Sequence, residues 1–215
     1  MLIQGQIGAV TGLDGSQPNA RQGRTGELIV SQAHGRYYET TSRGNTFTLT
    51  LNATTTGISA GNLTGAAAAA VTQFAIWNPN GSGVNINILK AFVAPISGTF
   101  AAGPVFHGLF VNGNPTIAST GTANNNLAGG RPPIARYMAS AAGAALTGGT
   151  APVTFRAMSM SFSASAYAAA AGANTLENVE GDIVLPPGTG WVPLHAGAGT
   201  SVLHAYSVTW EEIPI

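Results

Sequence analysis

The chain has 215 residues, only 7% of them Asp, Glu, Lys or Arg, and its formal net charge at pH 7 is zero. Soluble domains usually carry about 25% charged residues. Sequence-independent binding of nucleic acid needs clustered cations, but the arginines here are scattered and Lys90 is the only lysine. The composition therefore argues against nucleic acid as a direct partner, and a sparsely charged, neutral surface favours association with other subunits.

The sequence also argues against thiol chemistry, membrane insertion and a cleaved leader. It contains no cysteine, which excludes disulfides and thiolate metal sites. No window approaches the run of about 18 apolar residues that a transmembrane helix needs. The first residues lack the basic start and the apolar run of a signal peptide. We therefore expect no membrane partner.

Residues 1–26 differ from the rest of the chain because they are rich in glycine and sustain no hydrophobic period. They predict an extended N-terminal arm rather than part of a core. Such an arm can become ordered on binding and pair with the sheet of a neighbouring subunit. Its candidate interface residues are Leu2, Ile3, Ile7, Val10 and Leu13.

The first clear strands follow this arm, where apolar side chains alternate with polar ones. In NTFTLTLN, Phe47, Leu49 and Leu51 alternate with threonines, which is typical of a half-buried strand. In VNINILKAFV, the apolar residues from Val84 to Ile88 alternate with asparagines. The segment then becomes apolar on both sides, which predicts that it enters the core.

The second half of the chain predicts further strands and one long irregular excursion. PVFHGLFV ends at Asn112-Gly113, a pair typical of hairpin turns, and residues 118–150 then predict the excursion. VTFRAMSMSFSAS predicts a strand whose alternation slips at Ser159. One face of the last strand is built from alternate residues, namely Val202, His204, Tyr206, Val208 and Trp210.

Many short strands separated by turns, without a long amphipathic helix, predict an all-β fold. We expect an antiparallel β-sandwich or jelly-roll-like domain over residues 27–215, preceded by the extended arm. The Ala-rich pieces are too short to form helices that carry the fold.

The stretch VLPPGTGWVPLHAG raises the question of a phosphate-binding loop. A P-loop needs a lysine and a Ser or Thr after its glycines, at the start of a helix. Here a strand pattern resumes after Gly190 instead. We expect a corner in which Pro186 and Pro187 end one strand, Gly188 and Gly190 supply the turn, and Trp191 seals an end of the sandwich.

The four histidines are candidates for a metal site. No His-x-His pair of the kind that β-barrel metal sites use is present among His34, His107, His195 and His204. For His204, at a core-facing position of the last strand, the interpretation that we prefer is a hydrogen-bonded interior or interface residue. We therefore expect no metal and no cofactor.

The carboxylates are candidates for catalysis. Glu177, Glu180 and Asp182 cluster ahead of a predicted strand, where solvated charge is the usual explanation. No Gly-x-Ser-x-Gly nucleophile elbow is present. We therefore expect a protein without enzyme activity.

Residues 23–50, with GRYYE and RGNTFT, the middle segment WNPNGSGVNINILK and residues 182–215, with WEEIP, together resemble small β-rich virion structural proteins of tailed bacteriophages. The resemblance covers about half of the chain and implies a jelly-roll-like subunit that forms homotrimers. It further implies a capsid cement or decoration protein, made in the host cytoplasm and bound to the major capsid protein on the capsid surface. It carries over no catalytic residue.

Two other functions stay open beside the cement protein. One is a tail-associated or receptor-binding protein that contacts host-surface glycans. The other is a component of the major shell or its scaffold. Aromatic residues are the remaining candidates for the interface, or for stacking on sugars: Tyr37, Tyr38, Trp77 and Trp191.

Overall fold

The computed structural model describes residues 5–6, 20–21, 35–50, 61–62, 74–100, 103–111, 122–139, 152–162, 165–166, 175–195 and 200–215. The chain divides into two compact units, Met1–Glu39 and Thr40–Ile215. In the first unit, β1 (Gly5–Gln6) and β2 (Ala20–Arg21) pair in parallel. The rest of the predicted arm lies outside the described residues, and so do the side chains of its interface candidates, Leu2, Ile3, Ile7, Val10 and Leu13.

The second unit is built almost entirely of strands. A five-residue helix, α1 (Tyr38–Ser42), begins in the last residues of the first unit. The strands are β3 (Thr46–Thr50), β4 (Gly61–Asn62), β5 (Phe74–Trp77), β6 (Val84–Phe100), β7 (Gly103–Val111), β8 (Ala123–Asn125), β9 (Arg136–Ala139), β10 (Val153–Phe162), β11 (Ser165–Ala166), β12 (Thr175–Leu185), β13 (Thr189–His195) and β14 (Thr200–Pro214).

These strands form a sandwich of two sheets. Sheet I has the order β11-β6-β14-β3-β8, with β12 also paired to β6; sheet II has the order β10-β7-β13-β5-β9, with β4 also paired to β13. All of these pairs are antiparallel except β4 with β13. The pairs β5 with β13, β6 with β12 and β7 with β10 are nested along the chain. The predicted fold class is confirmed.

The central core lies between the two sheets and follows the predicted alternation. In β3, Phe47 and Leu49 are fully buried, as are Ile86 and Ile88 in β6. The pairing of β6 with β14 steps from Lys90 opposite Thr209 to Ile88 opposite Trp210, so Leu89 is an extra residue. This bulge changes the buried positions from even to odd numbers, which explains why the sequence looks apolar on both sides there.

The strand predictions for the second half are mostly confirmed. Strand β7 ends at Val111, and the pairing of β10 with β7 shifts between Ala157 and Ser161, around the predicted slip at Ser159. The excursion differs from the prediction in its described part, residues 122–139, because β8 and β9 lie within it. Each extends one sheet, and neither is long enough for its alternation to be recognised in the sequence.

A second apolar cluster lies on the other face of sheet II. It contains Ala75, Trp77, Phe110, Met138, Val192 and Leu194. Strands β5 and β13 are therefore buried on both faces. Gly190 lies inside β13, where an added Cβ would stand 2.1 Å from the Phe110 ring, and its predicted role in the turn is wrong. Gly188 alone supplies the left-handed residue of the turn, with φ of 85°.

Candidate functional site

The VLPPGTGW corner is confirmed as a structural turn between β12 and β13. Asn78 is fully buried beside it, accepts a bond from the Gly188 N–H at 2.8 Å and donates its own N–H to the Thr189 carbonyl at 2.8 Å. The Asn78 side chain donates to the carbonyls of Val84 at 2.7 Å and Leu185 at 2.9 Å. Since the Thr189 N–H is bonded to Pro186, the turn offers neither of these donors to a phosphate. Asn78 is a structural residue that sequence reasoning missed.

The two tryptophans named as interface and sugar-stacking candidates are core residues. Trp77 lies in the second apolar cluster and Trp191 in the central core, each with 1% of its surface exposed. Trp191 therefore does not seal an end of the sandwich, and neither ring is available on the surface. They are buried because β5 and β13 are covered on both faces. Tyr38 is 51% exposed and Tyr37 partly exposed, so these two candidates remain accessible.

His107 is a buried residue in a polar network that joins both sheets. Its Nδ1 accepts a bond of 2.9 Å from Trp191 Nε1, so the imidazole proton sits on Nε2, which lies 3.2 Å from Glu177 Oε1. Burial lowers the pKa of His107, although the nearby Glu177 carboxylate opposes this shift. His107 is therefore a neutral interior histidine.

Glu177 and Asp182 form a clasp with Arg156, while Asp182 and Glu180 are exposed to solvent as expected. Arg156 on β10 donates to Glu177 at 2.9 Å and to Asp182 at 3.1 Å, both on β12. The expected loop is wrong, because Glu177, Glu180 and Asp182 all lie within β12. Within the described residues, His107 contacts Trp191 and Glu177 but no hydroxyl group that it could activate.

His195 and His204 are buried next to each other, and His204 also lies beside Tyr206. Their ring centroids are 5.7 Å apart, and His204 is 5.5 Å from Tyr206. Burial, assisted by the neighbouring His195, lowers the pKa of His204 to about 3. The described residues contain no group of three His, Cys, Asp or Glu side chains placed to hold a metal ion. His34 lies outside the described residues.

Glu212 is a buried carboxylate whose structural role sequence reasoning missed. Its Oε2 accepts a bond of 2.7 Å from Arg131, and its Oε1 accepts bonds from the N–H groups of Ile134 at 2.8 Å and Ala135 at 2.9 Å. Arg131 also lies over the Phe47 ring, 4.9 Å from its centroid. These contacts fix the segment between β8 and β9. The signal was present in the sequence, because Glu212 continues the even-numbered buried face of β14.

Large apolar side chains are exposed on both of the strands that Arg156 connects. β10 is at the edge of sheet II and β12 at the edge of sheet I. The four large apolar side chains that they expose, which we name the edge surface, are Val153 at 69%, Phe155 at 53%, Leu176 at 59% and Val184 at 46%. Apolar side chains exposed on an edge strand are open to contact with another chain.

A cleft of about 390 Å³ is formed by residues 132–137, at the junction of the β8–β9 segment with β9. Pro132, Pro133, Ile134 and Ala135 form its apolar part, and Arg136 and Tyr137 complete it. This segment belongs to the predicted irregular excursion, for which the sequence indicates no site.

Comparison of the chain with protein-family models, with curated proteins and with solved structures finds no match. The resemblance to phage virion proteins and the role that it implies therefore stay predictions. In the part of the chain that the structure describes, no helix is both long enough and apolar enough to cross a membrane.

Proposed function

We propose that this chain is a bacteriophage virion structural protein that binds and stabilises the shell of the major capsid protein as a homo-oligomer, with a trimer expected from the resemblance. The observation that carries the proposal is the edge surface. Val153, Phe155, Leu176 and Val184 lie on edge strands of both sheets, and such edges are templates for contact with another chain.

The charge of the chain supports a contact of this kind. Ion pairs on a surface weaken as salt rises, whereas apolar burial does not. A virion protein has to remain attached outside the cell, where ionic strength varies widely. A chain with 7% charged residues and apolar side chains on its sheet edges suits that requirement.

The clasp joins the two edge strands. Arg156 links β10 to Glu177 and Asp182 of β12, so the strands that carry the exposed apolar residues are connected to each other. A preformed surface loses less conformational entropy on binding than a mobile one. The function is that of a binding surface, and it requires no catalytic step.

The proposal is tested by changing the edge surface. Phe155→Ser combined with Leu176→Ser removes two exposed side chains, at 53% and 59%, and should leave the core intact. Ile215→Ser is the matched control, because Ile215 is 73% exposed at the chain end and outside the edge surface. Light scattering after size exclusion measures the oligomer, and cosedimentation with assembled shells of a tailed-bacteriophage major capsid protein measures attachment.

We expect the wild-type chain and the Ile215 control to oligomerise and to sediment with shells at both low and high salt. The double variant should lose at least one of these properties by about ten-fold in affinity, since buried aromatic and aliphatic anchors dominate interfaces. A wild-type chain that is monomeric and binds no shell would overturn the proposal.

Contact with host-surface glycans remains the second candidate function. The burial of Trp77 and Trp191 removes two of its four aromatic candidates, so it depends on Tyr37, Tyr38 or another site. The cleft at residues 132–137 is the observation that favours it. Copy number per particle, measured by quantitative mass spectrometry, separates both functions from that of a major shell component.

A further inference from the structure

The cleft at residues 132–137 combines apolar walls with an available cation. Its volume of about 390 Å³ lies near the lower end of the range for small-molecule sites, about 300–1,000 Å³. Pro132, Pro133 and Ile134 supply the apolar part, with Ile134 39% exposed. Tyr137 also lines the cleft, while its side chain packs against the central core.

Arg136 is the charged residue of this cleft. It is exposed, and its guanidinium makes no hydrogen bond, ion pair or ring contact with any residue that the structure describes. Arg131 is the contrasting case, because it is held by Glu212 at 2.7 Å. A guanidinium presents a planar fork of N–H donors that matches a carboxylate. Charge complementarity therefore points to an anionic ligand.

The cleft is built before any ligand arrives. Glu212 holds the N–H groups of Ile134 and Ala135, and Arg136 is fixed opposite Trp77 by the pairing of β9 with β5. The two prolines restrict the backbone further. Little ordering of the protein is needed on binding, which lowers the entropic cost.

The same backbone bonds select the kind of ligand. An extended peptide binds by pairing its carbonyls with backbone N–H groups. Pro132 and Pro133 have none, and those of Ile134 and Ala135 are already bonded to Glu212. A sugar acid needs only the guanidinium for its carboxylate and an apolar wall for its C–H face, while its hydroxyls stay in water.

We propose that the cleft at residues 132–137 binds a sugar ring that carries a carboxylate, of the uronic-acid class, with Arg136 as the carboxylate partner. The proposal goes beyond shell binding and gives the glycan-contact candidate a site that uses none of its predicted aromatic residues. The sugar acid can come from a free monosaccharide or from an acidic polysaccharide on a cell surface, and both share this chemistry.

The test is a titration of the ¹⁵N-labelled full chain with sodium glucuronate, followed by nuclear magnetic resonance. We expect saturable shifts of the Ile134–Tyr137 amides and the Arg136 side chain, with affinity at least about ten-fold higher than for glucose. High salt should weaken the binding. A glucuronate-containing oligosaccharide replaces the monosaccharide in a second arm, and tighter binding of it identifies a polysaccharide as the source.

Arg136→Gln should abolish the shifts, and Arg136→Lys should weaken them because the fork is lost. Arg43→Gln removes an equally exposed arginine outside the cleft and should bind like the wild type. The proposal is overturned if glucose binds as well as glucuronate, if Arg136→Gln still binds, or if acetyl-glycine, a peptide-type carboxylate, binds as well. Shell attachment is measured separately, so either proposal can fail alone.

Discussion

Acid should destabilise the folded chain through His204, which is fully buried in the core between His195 and Tyr206. Its pKa falls to about 3 in the folded chain, against 6.5 as the ordinary value. Below pH 6.5 the unfolded chain therefore binds a proton at His204 that the folded chain does not. Stability contributed by the neutral ring is complete above pH 6.5 and is lost as pH falls toward 3.

The magnitude follows from the two pKa values of His204, about 3 and 6.5. Each pH unit between them removes about 1.4 kcal/mol from the free energy of unfolding. Between pH 7 and pH 5 the loss from His204 is about 2 kcal/mol. The lowered pKa of His107 acts in the same direction. Burial raises the pKa of Glu211. The stability that Glu211 contributes is therefore lost as pH rises, which is opposite to the effect of the two histidines.

The contribution of His204 is isolated by comparing how much unfolding free energy the wild type and His204→Phe lose between pH 7 and pH 5. Phenylalanine has a similar volume and no proton to bind, while His107 and Glu211 are the same in both chains. Urea unfolding followed by tryptophan fluorescence at pH 7 and pH 5 gives the four free energies. We expect the wild type to lose about 2 kcal/mol more than the variant between these pH values.

Equal losses in the two chains would refute the reasoning. If His204→Phe does not fold, the wild-type chain still decides the question, because titration of ¹³C-labelled imidazole rings gives the pKa of His204 directly. A value near 6.5 would contradict the burial argument.

Three further substitutions test the core and the cleft by urea unfolding. Glu212→Gln should cost about 3 kcal/mol, since it breaks a buried ion pair whose arginine reaches solvent, whereas Glu211→Gln should cost less than about 0.5 kcal/mol. Gly190→Ala should cost about 1–3 kcal/mol because a Cβ would overlap a phenyl ring 2.1 Å away, while Gly35→Ala, in open space, should be neutral. Tyr206→Phe should leave stability unchanged or raise it by up to about 1 kcal/mol, because its buried hydroxyl has no hydrogen-bond partner among the described residues. A large loss in Tyr206→Phe would show that this hydroxyl is bonded.

The sequence alone determined the all-β class and the inward faces of the main strands. Phe47 and Leu49 in β3, and Tyr206 and Trp210 in β14, are buried where alternation placed them. Alternation is a local property of an extended chain, so it can be read without knowing the partner strand. When the alternation of β14 is continued from Trp210 by two residues, it also identifies Glu212 as an interior residue.

The tertiary structure decided which strands are covered on both faces and which charges meet. If each sheet buried only one face, Trp77 and Trp191 could lie on the surface. Sheet II instead has an apolar cluster on each of its faces, so both residues are buried. Arg156 meets Glu177 only because β10 and β12 lie at neighbouring edges of different sheets. Such contacts depend on strand order and register between segments far apart in the chain, which local residue patterns do not encode.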